Sequence, residues 1–260
     1  MSEKNRELKN KLKECSDLEQ QLAILHNSYE GQDCYILNCG PSLNDHDPEK
    51  LTKFLEDKLT FSVKLARDRY PQVTDFHFFN CCNLPVKDHK FCHYDYSGSD
   101  TIAVASSNYD LGFRWSPFQE VDLFFKVPIR TEEGNEFLCR TKEFDKYLLE
   151  KSATRPSGPG IMLETVIHMA VHLGVKNIYA LGWDLNKTNI TDVNKYDHFF
   201  GSTSELLNRG DMLDWEIKET REVTKDVFYW LKEKGIGLHL VSDISALYEG
   251  IPRVKLEDTQ

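Results

Sequence analysis

Apolar residues along the chain fall into short runs typical of buried strands and longer stretches with helical spacing. The short runs predict strands at residues 34–38, 59–65, 75–80, 101–106, 176–181 and 237–241. Helical spacing predicts helices at residues 3–27, 161–173 and 214–234, and another helix begins where the carboxylate of Asp47 precedes Pro48. Strands that alternate with helices predict an α/β fold with a doubly wound, mainly parallel sheet.

The amino-terminal segment 3–27 is amphipathic, with lysine and glutamate between five leucines that share a helical stripe: Leu8, Leu12, Leu18, Leu22 and Leu25. This helix could pack on the body of the chain or on a partner chain. The expected division is an N-terminal helix over residues 1–30 and one main domain over 31–260. Residues 110–128 are aromatic and irregular, 142–151 could form a short helix, and 185–212 are polar without a regular pattern.

The composition is that of a soluble globular chain, with 260 residues of which 40% are hydrophobic and 28% charged. Thirty-two Lys and Arg against forty-two Asp and Glu give a net charge of −10, which argues against coating nucleic acid or an anionic membrane. A nucleotide ligand remains possible, because backbone amides and helix ends can hold a phosphate. No apolar run approaches a membrane span, the start is charged, and the seven cysteines show no paired spacing, so we expect a cytoplasmic protein with free thiols.

Ligands of an open parallel sheet bind beyond the carboxyl ends of the strands, and the first predicted strand ends in an unusual turn. The residues of this turn are Asn38, Cys39, Gly40, Pro41, Ser42 and Leu43. Glycine allows a tight turn and close approach of a ligand, while Ser42 offers a hydroxyl and an amide. The turn matches neither the Walker loop nor GxGxxG, so a phosphate site and a plain strand-to-helix turn both remain open.

Two further strand ends carry polar groups. Asn80 ends the third predicted strand and can hydrogen-bond a base or a sugar. Nearby histidines and cysteines lack the paired spacing of a zinc site, so no metal is expected from His77, Cys81, Cys82, His89, Cys92 and His93. A glycine-rich loop, Ser157-Gly158-Pro159-Gly160, opens a helix that leads to a strand ending in Gly182-Trp183-Asp184. Asp184 could orient a ribose, a sugar hydroxyl or a metal, or it could cap a turn.

His198 lies between aromatic residues and beside Asp197, in the run Tyr196-Asp-His-Phe-Phe-Gly-Ser202. A histidine in this setting is either an acid, base or phosphate partner, or a structural residue. The chain contains no HExxH and no GxSxG, so a zinc protease and an α/β-hydrolase are not expected.

In this order, these motifs resemble the bacterial sialyltransferases of glycosyltransferase family 42. They also resemble a wider group with the Gly-Pro-Ser-Leu motif, which includes the archaeal 6-hydroxymethylpterin diphosphokinase and the flagellin-modifying glycosyltransferases. The resemblance covers about residues 30–250 and implies a Rossmann-like nucleotide-binding domain that uses a CMP-sugar donor. It places Gly40, Pro41, Ser42 and Leu43 at the donor nucleotide, Asn80 near the donor, Gly182 and Asp184 in a Gly-x-Asp motif, and His198 and Gly201 near the donor phosphate.

The chain departs from the sialyltransferase pattern at four points. Cys39 replaces the asparagine before Gly-Pro-Ser, and Lys64 follows the second strand where an asparagine is expected. Leu185 and its successors replace tyrosines that hold the phosphate, and Ser202 occupies the position of the catalytic histidine. The base is therefore His198 or absent, and the Lys64 ammonium could replace lost phosphate contacts.

The expected activity is transfer of a sugar from a nucleotide-activated, CMP-linked donor to a hydroxyl of a glycan or another acceptor, without a cofactor. His198 would act as base or phosphate partner, while Lys64 and the amides near Ser42 stabilise the phosphate. The expected donor site also includes the residues Asn38, Cys39, Ser157, Gly158, Gly160, Trp183, Gly201 and Ser202. One alternative is an ATP-dependent diphosphokinase with magnesium on Asp184 and Asp197. Another is a non-catalytic nucleotide-sugar binder that forms a homo-oligomer through helix 3–27.

Overall fold

A computed structural model describes residues 3–81, 94–107, 120–125, 156, 160–185, 197–199, 201–202 and 210–259. The helices are α1 (Glu3–Lys13), α2 (Leu18–Leu25), α3 (Pro48–Leu55), α4 (Ala66–Arg69), α5 (Ile167–His172) and α6 (Gly210–Glu233). The strands are β1 (Asp33–Leu37), β2 (Leu59–Val63), β3 (Phe76–Cys81), β4 (Ile102–Ser107), β5 (Leu123–Phe125), β6 (Asn177–Leu181), β7 (Asp197–His198), β8 (Gly201–Ser202) and β9 (Gly237–Val241). Two 3₁₀ turns (Pro41–Asp45 and Leu256–Thr259) and a π-helical turn (Met162–Val166) complete the described elements.

Seven strands form one sheet in the order β5-β4-β3-β2-β1-β6-β9, and each neighbouring pair is parallel. The predicted doubly wound α/β fold is therefore confirmed. Strand order runs outward from β1 in both directions, so it reverses between β1 and β6. Such a reversal leaves a crevice at the carboxyl ends of the two strands.

Helices cover both faces of the sheet, which explains why its strands are continuous apolar runs. In β1, Cys34 and Ile36 face the larger core, which is shared with leucines of α1 and α2 and with apolar residues of α5 and α6. Tyr35 and Leu37 face a second core with α3 and α4. As predicted, α3 begins at Pro48, because the Asp47 carboxylate accepts a hydrogen bond from the Lys50 amide (2.9 Å).

The amino-terminal segment forms two helices, so the prediction of one helix over 3–27 is wrong. Asp17 starts the second helix by accepting a hydrogen bond from the Gln20 amide (2.9 Å), which provides an N-cap in the middle of the expected helix. The turn between the helices lets both pack on the sheet, and four leucines are buried in the larger core: Leu8, Leu12, Leu22 and Leu25. The leucine stripe therefore faces its own chain.

Three other features differ from the sequence expectation. The strand β5 lies in a segment predicted to be irregular, and the β7–β8 hairpin lies in the polar stretch 185–212. The second strand stops at Val63, because Lys64 adopts a left-handed backbone conformation with φ of 49°. The expected helix at 142–151 lies outside the described residues.

Of the helices in the described ranges, none combines the length and the apolar character that crossing a membrane requires.

Candidate functional site

The candidate site is the edge of the sheet where β1 and β6 end. These two strands are adjacent and in register, with Leu37 opposite Leu181. The turn after β1 and the Gly182-Trp183-Asp184 turn after β6 therefore lie side by side. Two of the strand ends singled out in the sequence thus meet at the point where the strand order reverses, which is where α/β sheets bind ligands.

Hydrogen bonds join these two turns into what we call the Ser42–Asp184 clasp. The Gly40 amide donates to the Gly182 carbonyl (2.7 Å). The Asp184 carboxylate is 1% exposed and accepts from the Ser42 amide (2.8 Å), the Ser42 hydroxyl (2.7 Å) and the Ser242 hydroxyl (2.6 Å). A buried carboxylate with three donors is a satisfied group, and it connects β1, β6 and β9.

Both glycines of the clasp are required by its close packing. A Cβ atom at Gly40 would overlap the Gly182 carbonyl and the Asp184 carboxylate. Gly182 has a φ of 68°, and a Cβ atom there would lie 2.9 Å from the Asn38 carbonyl. The glycines of both motifs therefore have a structural reason that involves no ligand.

The clasp changes the expected chemistry of the first turn. The amides of Gly40, Ser42 and Leu43 all have internal acceptors, the last being the Gly40 carbonyl at 3.2 Å. These three amides are therefore not free in the structure, because an internal carboxylate and two carbonyls accept from them, and a phosphate bound by them would have to displace those acceptors. Asp184 caps this turn, which is the second of the alternatives that the sequence left open for it.

Two other members of the expected donor set are buried near the clasp. The Asn38 side chain, 4% exposed, donates to the Leu181 carbonyl (3.3 Å). Trp183 is 5% exposed and belongs to the larger core, while its carbonyl accepts from the Ser245 hydroxyl (2.8 Å). Both side chains support the clasp from within the protein.

The β7–β8 hairpin lies over the turn after β1. The Phe199 amide donates to the Cys39 carbonyl (2.9 Å), and the Asn44 side chain donates to the Phe199 carbonyl (3.0 Å). Arg69 lies over the Phe199 ring at 5.2 Å and donates to the Asn44 side chain (2.6 Å). These contacts bring the backbone of His198, with Gly201 opposite it in the hairpin, to the candidate site. Ser202 pairs with Asp197 in the same hairpin.

Hydrogen bonds at its amide and at its carbonyl hold Lys64, at the end of β2, in its left-handed conformation. Its amide donates to the Phe78 carbonyl (2.8 Å), and its carbonyl accepts from Nε2 of His77 (2.8 Å). Because a carbonyl can only accept, Nε2 carries the proton, and the Tyr96 hydroxyl donates to Nδ1 (2.6 Å). Burial lowers the pKa of His77 to about 3, so the ring is neutral. Both nitrogens of His77 are therefore engaged in hydrogen bonds within the fold.

Cys39 joins the turn after β1 to the end of β2. Its thiol donates to the Val63 carbonyl (3.2 Å), and burial raises the pKa of the thiol to about 11. The sulfur is therefore protonated at neutral pH and is a poor nucleophile.

A further polar group lies at the ends of β3 and β4 and includes two residues that the sequence analysis did not select. The predicted Asn80 donates to the Ser106 hydroxyl (2.9 Å) and to the Glu164 carboxylate (3.3 Å). Glu164 is 2% exposed and lies in the π-helical turn before α5, a helix type often found at functional sites. The only signal in the sequence was a carboxylate among apolar residues at 161–167.

Of the glycine-rich loop, Gly160 is described, whereas Ser157 and Gly158 lie outside the described residues. Gly160 has a φ of 85°, so glycine is needed there for its conformation. Throughout the described ranges, no group of three or more His, Cys, Asp or Glu residues is arranged to hold a metal ion.

Comparison with known proteins gives a likeness of fold. No protein-family model matches the chain, and no curated protein is significantly similar to it. The solved structure of MAf glycosyltransferase from Magnetospirillum magneticum AMB-1 is similar, with a TM-score of 0.50 and 16% sequence identity. The match covers 90% of this chain but 35% of that chain, so the present chain corresponds to about a third of the longer protein. At this identity the likeness shows a shared Rossmann-like α/β fold, and it establishes membership neither of the sialyltransferase family nor of the diphosphokinase group.

Proposed function

We propose that this protein transfers a sugar from a nucleotide-activated donor to an acceptor hydroxyl, at the edge where β1 and β6 end. The observation that supports this most is the tie from Phe199 to the Cys39 carbonyl. Through it, the segment with His198 meets the turn after β1 and the turn after β6 at the reversal of strand order. The shared fold with MAf glycosyltransferase adds support for sugar transfer as the reaction class.

The reaction needs a base on the acceptor and positive charge on the leaving phosphate. The acceptor oxygen forms a bond to the anomeric carbon, and the bond from that carbon to the phosphate oxygen breaks, leaving its electron pair on the phosphate. We assign His198 as the group that takes the acceptor proton or contacts the phosphate, and Lys64 as a cation for the phosphate. That the nucleotide of the donor is CMP is a more specific proposal, and it follows from the resemblance of the motifs.

Two features of the structure weigh against the alternatives. A diphosphokinase would use Asp184 for magnesium, but the Asp184 oxygens already accept three hydrogen bonds from Ser42 and Ser242. An oligomeric binder was expected to associate through the leucine stripe of residues 3–27, but four of those leucines are buried in the core of their own chain.

A thermal-shift panel of CMP, CDP, UDP, GDP and ATP, each with and without magnesium, tests the donor. We expect cytidine nucleotides to stabilise the protein without magnesium, by about 2.7 kcal/mol at one hundred times the dissociation constant. Stabilisation by ATP that depends on magnesium would instead favour the diphosphokinase.

His198→Ala tests the catalytic assignment in a transfer assay with EDTA present. Loss of a general base lowers the rate by about 10²–10⁴-fold, whereas stabilisation by the nucleotide should remain. His26→Ala, at an exposed histidine after α2, is the matched control and should keep full activity. Full turnover in His198→Ala would disprove the assignment, and nucleotide binding without turnover in the wild type would support a binding protein.

A further inference from the structure

The segment that follows β2 concentrates positive charge at the candidate site. Lys64, Arg67 and Arg69 lie within six residues, in a chain whose net charge is −10. Cys39 connects this segment to the turn after β1, because its thiol contacts the Val63 carbonyl and the backbone amides of Leu65 and Ala66. The segment therefore borders the edge at which we place the donor.

Arg67 differs from the other arginines in the described ranges. Arg6, Arg69, Arg221 and Arg253 each donate at least one hydrogen bond to a protein group. The Nε of Arg67 is instead buried without a partner among the described residues. Its Nη1 lies 3.7 Å from the Asp68 carboxylate, which is 49% exposed, while the Arg67 side chain is only 11% exposed.

A buried guanidinium in this state is costly, because it has lost water and has gained little in return. The buried Nε–H of Arg67 needs an acceptor, and the half-exposed Asp68 carboxylate lies 3.7 Å from Nη1, which makes a weak pair. The Tyr96 ring, 5.1 Å from the guanidinium carbon, gives Arg67 a fixed surface to lie against. Tyr96 is itself fixed by its hydrogen bond to His77. The cation is thus held in place before any ligand arrives.

We propose that Arg67 binds a phosphate group of the nucleotide donor, with Lys64 as the second cation of this anion subsite, an inference that rests on the proposed function. A guanidinium pairs with phosphate through two parallel hydrogen bonds, and this geometry suits a buried cation better than an ammonium does. Two positive charges in one segment match a group that carries two negative charges, which favours phosphate over a singly charged carboxylate.

Arg67→Met and Arg67→Lys test the subsite, with Arg6→Met on α1 as the matched control. The probes are cytidine, CMP, inorganic pyrophosphate and free N-acetylneuraminate, measured by calorimetric titration and thermal melting. We expect Arg67→Met to weaken CMP and pyrophosphate by about ten- to a hundredfold while cytidine is unchanged. Arg67→Lys should recover part of the loss, and Arg6→Met should bind as the wild type does.

The melting temperature without ligand separates binding from a structural role. Removing an under-partnered buried charge should leave that temperature unchanged or raise it, as is common for residues kept for function. A fall of several degrees in Arg67→Met would mean that Arg67 holds the fold, and would overturn the proposal. Unchanged affinity for CMP and pyrophosphate would overturn it too, as would a wild type that binds N-acetylneuraminate but not pyrophosphate.

The pyrophosphate measurement also separates this proposal from the proposed function. If pyrophosphate binds the wild type but not Arg67→Met while no nucleotide binds, the anion subsite stands and the nucleotide donor is wrong. If nucleotides bind the wild type and Arg67→Met equally, the donor stands and the subsite is wrong.

Discussion

The two edges of the sheet differ in how their buried polar groups are paired. At the amino edge, side chains from α1 reach the backbone at the starts of the strands: Asn5 donates to the Asp75 carbonyl (3.1 Å) and Lys9 to the Thr101 carbonyl (2.6 Å). At the carboxyl edge, the Ser42–Asp184 clasp is equally well satisfied, but in the segment after β2 the Nε of Arg67 is buried without a partner among the described residues.

Backbone strain follows the same division. Three described residues other than glycine have positive φ: Asn27 (53°), Lys64 (49°) and Leu185 (46°). Asn27 lies near the amino edge, and asparagine tolerates this conformation. Lys64 and Leu185 lie at the carboxyl edge, and their side chains are poorly suited to it. The contrast teaches that the backbone strain least suited to its residue types lies at the edge where ligands of this fold bind.

The largest expected effect tests whether the clasp makes the carboxyl edge rigid. Asp184→Ala leaves the Ser42 amide and two hydroxyls buried without their acceptor, so we expect a loss of about 3–5 kcal/mol in the free energy of unfolding by urea. Asp184→Asn should lose about 1–2 kcal/mol, because an amide oxygen can accept from Ser42 while both hydroxyls accept from its NH₂ group. A loss below about 0.5 kcal/mol in Asp184→Ala would show that the clasp does not hold this edge.

The second prediction concerns the amino edge and the free-energy cost of burying the Asp75 carboxylate there. Burial raises the pKa of Asp75 to about 6, although its carboxylate accepts from the Thr60 amide (2.9 Å). The unfolded pKa is near 3.8, so between about pH 4 and 6 the native state binds more protons, and stability falls as the pH rises. Two pKa units correspond to about 3 kcal/mol as an upper value.

Asp75→Asn should remove this slope. We expect the variant to match the wild type near pH 4 and to be more stable by up to about 3 kcal/mol at pH 8, in urea unfolding curves measured across this range. Parallel curves for the two proteins at all pH values would show that Asp75 has an ordinary pKa and that the amino edge carries no such penalty.

The smallest expected effect concerns backbone strain at Lys64, compared with that at Asn27. Lys64→Gly and Lys64→Ala both remove the charge, but only glycine relieves the left-handed backbone, so the glycine variant should be more stable by about 1 kcal/mol. Asn27→Gly is the control at the amino edge and should gain less over the wild type than Lys64→Gly does. Equal melting temperatures for Lys64→Gly and Lys64→Ala would mean that Lys64 is not strained.

Much of the fold could be predicted from the sequence because its signals are local. Six strands and the cap of α3 follow from apolar runs and from Asp47-Pro48. The break between α1 and α2 was missed, because an aspartate is also common on the polar face of a continuous helix. Only its hydrogen bond from the Gln20 amide identifies Asp17 as an N-cap. The strand β5 has only three residues, too few to show a period.

The candidate site was predictable in position more than in mechanism. The turn at 38–43 and the turn at 182–184 were placed correctly at one edge, because parallel strands end together. What the sequence could not show is that the Asp184 carboxylate accepts from the Ser42 amide, that Glu164 is buried, or that the Arg67 Nε has no partner among the described residues. These properties depend on distances across the fold, and the conformation of Lys64 has no signature in its residue type.

The docking of α1 and α2 against late parts of the sheet has a consequence for synthesis. Gln21 donates to the Asp122 carbonyl, a partner 101 positions further along the chain. At about 5–20 residues per second, a nascent chain waits roughly 5–20 seconds for that partner, with its leucines uncovered. We expect this interval to be a window for chaperone capture, and ribosome-bound chains halted before and after residue 125 should differ in protease resistance of α2.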